Sequence, residues 1–106
     1  MLNYVKDSEL LDLEEKYDKI KCILGDKLAE YRQFAGFPKR SYPNGSKSDN
    51  ILFNSESGKN LPNADTIDYY VEFYGLNEKQ EHILKDLQRQ GKQIKTAIIR
   101  KKRGWD

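Results

Sequence analysis

The chain has 106 residues, 37% hydrophobic and 34% charged, with a net charge of +2. That length holds one domain with at most short extensions, and a small core under so polar a surface favours a compact helical bundle. No apolar run approaches the roughly 20 residues of a membrane span, and the opening M-L-N-Y-V-K-D-S-E has no hydrophobic signal region. The single cysteine, Cys22, cannot close an internal disulfide, so a cytoplasmic protein is expected. One cysteine and one histidine, His82, do not make a usual zinc ligand set, and no metal or cofactor is expected.

In chain order, residues 8–35 read as helix, either one long helix or two. Leu10, Leu13, Tyr17, Ile20 and Leu24 fall at spacings of three and four, and the stripe continues through Leu28, Tyr31 and Ala35. The start lies at Asp7 or Ser8, or at a capping box of Asp12 with Glu15. Gly25 costs a helix interior about 1 kcal/mol relative to alanine and is a candidate break. The stripe can pack on the chain's own core or seat a second copy. Residues 36–48, G-F-P-K-R-S-Y-P-N-G-S-K-S, are turn-rich, with room for one short turn of helix around Lys39–Tyr42.

A short helix over 49–55 follows, capped by Ser48 or Asp49, with Gly58 as the left-handed residue beyond it. Residues 64–74 form the next, with Asn63 as N-cap, an apolar face of Ile67, Tyr70, Val71 and Tyr74, and Gly75 as terminator. Asn77 with Gln80 opens another, with Ile83, Leu84 and Leu87 as its buried stripe and Gly91 as an interruption. Ile94, Ala97 and Ile98 continue at helical spacing into Arg100-Lys101-Lys102-Arg103, and Trp105 is the last aromatic residue. No segment alternates with period two for long, so no sheet is expected.

Charge is segregated. Residues 1–30 carry five Lys/Arg against eight Asp/Glu, residues 31–59 five against two, residues 60–91 three against six, and residues 92–106 six against one. A local basic surface, rather than bulk charge, is what phosphate binding needs. No enzyme constellation is present. His82 has no nucleophile at a recognisable motif, Gly58-Lys59 lacks the rest of a phosphate loop, and the carboxylates read as solvated helix faces.

Leu24-Gly25, Leu28, Tyr31-Arg32 and Ala35-Gly36-Phe37, followed by Glu56, Gly58, Lys59 and Pro62 and then Ile67, Tyr70 and Tyr74-Gly75-Leu76, together resemble the Cro/lambda-repressor-like helix-turn-helix family of the xenobiotic-response-element type. The resemblance covers roughly residues 23–88. It implies an all-α bundle of five or six helices around a helix-turn-helix core. Residues 1–22 would be an added helix, 23–90 the domain, and 91–106 a basic tail. It also implies a structural ion pair between Arg32 and Glu56, whose loss costs roughly 3–5 kcal/mol if the site is buried. Pro38 to Gly45 departs from the family's regular second helix, Pro43 falls where that helix would run, and Ser55 stands where an apolar residue is usual.

The implied function is a cytoplasmic, dimeric, DNA-binding transcriptional regulator of a bacterium, phage or mobile element, with double-stranded DNA as partner. Ser48, Asp49, Asn50 and Asn54 would face base edges, and Lys39, Arg40, Lys47, Lys59 and Asn60 would hold phosphates. Arg100, Lys101, Lys102 and Arg103 would add tail contacts. The alternative is a degenerate helix-turn-helix kept as a protein-binding scaffold or inhibitor, which Pro43, Asn44, Gly45 and Asp49 favour.

Overall fold

A single helix, α1 (Leu2–Phe34), runs 33 residues without a break. It belongs to a computed structural model that describes the backbone of residues 2–37 and 49–103 and the side chains of residues 8–37 and 51–103. The expected turn around Lys39–Tyr42 lies outside the described residues. Three further helices follow: α2 (Asp49–Glu56), α3 (Ala64–Tyr74) and α4 (Glu78–Arg103). The described residues are therefore all-helical, with four helices and no strand, and none of these helices is long and apolar enough to cross a membrane.

The helix ends follow their capping residues. Asn63 Oδ1 accepts from the Thr66 backbone N–H at 2.8 Å at the start of α3, and Gly75 closes that helix in the left-handed region at φ 66°. Asn77 and Gln80 form the reciprocal capping box that opens α4, at 2.8 and 2.9 Å. Asp12 caps nothing, because α1 already starts at Leu2; its carboxylate instead lies 3.3 Å from Lys16 one turn on.

Two interior glycines are not breaks. The expected interruption at Gly91 does not occur: α4 continues for 26 residues, to Arg103. A Cβ at Gly91 would lie 2.6 Å from a Leu61 methyl and 3.2 Å from one of Ile20, so this glycine lets α1 and the α2–α3 loop close onto α4. At Gly25 a Cβ would meet the backbone carbonyl oxygens of Ser55 and Glu56, both at 2.6 Å. Here the last turn of α2 rests directly on the backbone of α1. The sequence cost of glycine in a helix is real, but close approach of a neighbour outweighs it at both positions.

α1 and α4 lie antiparallel, as the pairing of Lys101 with Glu9 and of Gly91 with Ile20 shows. The core sits at one end of this pair. Leu24, Leu28 and Tyr31 from α1, Leu52 from α2, Ile67, Tyr70 and Tyr74 from α3 and Leu84 from α4 form one buried cluster. Toward the other end, among the described residues, α1 and α4 cover each other, and Leu10, Leu13, Tyr17 and Ile20 are only half-buried.

Candidate nucleic-acid interface

α2 is eight residues long and cannot hold itself together in water. Its inward face is Leu52, fully buried, with Ser55 and Glu56 three and four residues on. Ser55 is 2% exposed where an apolar side chain would be the simpler choice, and its hydroxyl donates back to the Ile51 carbonyl at 2.9 Å. That bond satisfies the buried oxygen within the helix.

Glu56 is the fixed point. Arg32 Nε donates to Glu56 Oε2 at 2.9 Å and Arg32 Nη2 to Glu56 Oε1 at 3.0 Å, a bidentate pair between side chains each 5% exposed. The Tyr70 hydroxyl donates to Glu56 Oε2 at 2.5 Å, and Arg32 Nη1 donates to the Phe37 carbonyl at 2.7 Å. One carboxylate thus ties α2 to α1 and α3, and the same guanidinium fixes the chain as it leaves α1. The hydrogen bond to Glu56 raises the Arg32 pKa above its already high ordinary value, against the opposing effect of burial, so the guanidinium stays charged. Among the described residues no buried side-chain polar atom lacks a partner, which is what a buried charge network requires.

Phe37 packs edge-on against Tyr74, with ring centroids 5.2 Å apart, and tilted on Phe73 at 5.6 Å. Tyr70 and Tyr74 are core residues rather than an exposed aromatic patch, and Tyr69 is half-buried. The sequence pattern placed Tyr70 on an apolar face and missed its role on Glu56. The available signal was a tyrosine in a buried stripe, whose hydroxyl must find a partner.

The remaining expected contacts are scattered. Ser48, Lys39, Arg40 and Lys47 lie outside the described residues, as does Trp105. Asp49 and Asn50 occupy the first turn of α2, the end away from the clamp. Asn54 is half-buried, and its carbonyl accepts from the backbone N–H groups of Lys59 at 3.0 Å and Asn60 at 3.2 Å, folding the loop back on the helix. Lys59 and Asn60 are exposed, and Gly58 takes φ 80° between them and α2. Ile51 and Phe53, 45% and 51% exposed, are the large apolar side chains on the outer side of α2.

The basic C-terminal run is divided. It forms the last turn of α4. Lys101 pairs with Glu9, and Lys102 lies 3.7 Å from Glu14, so part of the positive charge is matched by the acidic first half of α1. Arg100 and Arg103 are exposed. The described residues contain no group of three His, Cys, Asp or Glu side chains that could hold a metal ion.

In comparisons with known proteins, no family model, curated protein or solved structure matches the chain.

Proposed function

We propose that the protein is a DNA-binding transcriptional regulator in which the second half of α1, α2 and α3 act as a helix-turn-helix-like unit and α2 enters the major groove. The observation that carries this reading is the buried Arg32–Glu56–Tyr70 clamp at the C-terminal end of α2. A groove-reading helix must hold its first turn forward on a rigid base. Clamping the last residue of α2 leaves that first turn, Asp49 and Asn50, as the end remote from the scaffold's polar anchor. Asparagine pairs bidentately with adenine, and Asn50 and Asn54 are the residues assigned this role. Lys59 and Asn60, exposed just beyond α2, would hold the backbone. Two copies would read paired half-sites.

A second reading is favoured by Ile51 and Phe53. Two large apolar side chains about half exposed on one short helix suit a protein groove as well as a thymine methyl. Selection of the purified chain against a random duplex pool, over several rounds and at two salt concentrations, separates the readings. A single enriched motif that is lost in Asn50→Ala/Asn54→Ala supports the regulator, and a palindromic motif adds dimeric reading. Absence of retention at low salt rejects it in favour of the protein-binding scaffold.

A further inference from the structure

Exposed cations occupy α4 from Lys92, about three turns before its end, through Arg100 in its last turn. From residue 92 to 103, α4 carries Lys92, Lys95, Arg100, Lys101, Lys102 and Arg103 and no carboxylate. Lys101 and Lys102 face the acidic half of α1. Lys92, Lys95 and Arg100 are exposed and have no ion-pair partner among the described residues.

Their placement makes a track. Steps of three and four residues keep Lys85, Arg89, Lys92, Thr96 and Arg100 on one stripe of the helix. This stripe forms one wall of an open groove, with Ala64 and Ile67 of α3 opposite. Lys92 also lines an adjoining cleft, with Lys95, beside Pro62 and Asn63. Leu61 rests on Gly91, so the loop that carries Lys59 and Asn60 crosses α4 one residue before Lys92. Positive charge therefore runs from the end of α2 onto α4. Opposing charge borders the track: Asp65 at the rim of the cleft, Glu81 and Asp68 on Lys85, Asp86 on Arg89, and Glu14, Glu15 and Asp18 of α1 in the cleft on the other side of Lys95.

We propose that this stripe of α4, with Lys92 and Arg100 on it and Lys95 beside it in the adjoining cleft, is a second nucleic-acid contact that follows the phosphodiester backbone. It rests on the DNA reading for its ligand and adds a face that α2 does not supply. From Lys85 to Arg100 the helix rises about 22 Å, with successive cations about 4.5 to 7.5 Å apart along its axis, wider than the one charge per about 3.4 Å of a DNA strand, so the contacts would skip phosphates. The contacts proposed are to phosphate, so they contribute affinity and register without sequence preference.

The test is equilibrium binding of the full chain to a duplex of arbitrary sequence across a salt series. Compared are the unaltered chain, the triple variant Lys92→Gln/Lys95→Gln/Arg100→Gln, and a control, Lys19→Gln/Lys79→Gln, in exposed cations away from the groove. Each lost phosphate contact reduces the slope of log K against log salt by about 0.9. The triple variant is expected to flatten the slope by about 2 to 3 and to lower affinity at least tenfold at low salt, with the control unchanged. Lys92→Arg/Lys95→Arg should keep the slope, which separates charge from side-chain shape. A triple variant with the full slope overturns the track. If that variant also still selects the same motif, the α2 reading stands without it. An unaltered chain that binds no duplex at low salt overturns both.

Discussion

Two of the regions where ion pairs join helices have opposite surroundings. At the core end, Arg32 and Glu56 meet in a site almost closed to water, with Tyr70 completing the carboxylate. At the far end of the α1–α4 pair, Lys101 and Lys102 meet Glu9 and Glu14 on a surface where the carboxylates are 54% and 41% exposed. The chemistry is alike, but water screens the second set and not the first. The buried set therefore governs whether α2 is held, while the surface set only biases how the two long helices lie together.

The largest expected effect is at the clamp. Glu56→Ala leaves the Arg32 charge buried without its partner and should lower unfolding free energy by about 3–5 kcal/mol in urea titration. Tyr70→Phe keeps the ring packing and removes one hydrogen bond to a charged group, for a loss of about 1.5–3 kcal/mol by the same measurement. Lys101→Ala, at the surface end, should cost about 1 kcal/mol or less, and the difference from the unaltered chain should shrink further in high salt. If the surface substitution rivals the buried one, the contrast between the two ends is wrong.

The two interior glycines sharpen the same contrast. Gly25→Ala drives a methyl into the carbonyl oxygens that end α2, and backbone cannot step aside; a loss of about 1–3 kcal/mol is expected. Gly91→Ala meets mainly the methyl end of Leu61, which can rotate, and gains helix propensity of about 0.5–1 kcal/mol. Its net effect should fall within about 1 kcal/mol of zero, as thermal melts of the two variants side by side would show. The smallest effect is at Lys85, whose pKa is raised chiefly by its hydrogen bond to Glu81. A raised folded-state pKa gives stability that is full below the ordinary lysine value and is lost as pH rises through the folded one. Lys85→Gln should therefore alter stability slightly at neutral pH and not at all in strong alkali.

Much of the helical plan was legible. Asn63, Gly75 and the Asn77–Gln80 box mark ends that follow from local capping chemistry, and the capping bonds form as that chemistry dictates. The Arg32–Glu56 pair was legible through family resemblance, since no local rule links residues 24 apart. Gly91 reads as an interruption and Gly25 as a candidate break because propensity is local, whereas the reason for each is a tertiary neighbour, Leu61 in one case and Ser55 and Glu56 in the other. Segregated charge had the same weakness. The acidic first half of α1 and the basic end of α4 partly neutralise each other, which a count along the chain cannot reveal. The role of Tyr70 was hidden because a tyrosine in an apolar stripe looks the same whether its hydroxyl reaches solvent or a carboxylate.

The most direct test of α2 as the reading element is backbone amide NMR of the labelled chain titrated with its selected duplex at low salt. The account predicts shifts concentrated at Asp49–Asn54, at Lys59 and Asn60, and on α4 around Lys92–Arg100, with the acidic half of α1 undisturbed. Saturating duplex that leaves α2 unshifted, or that perturbs only α1, would contradict it.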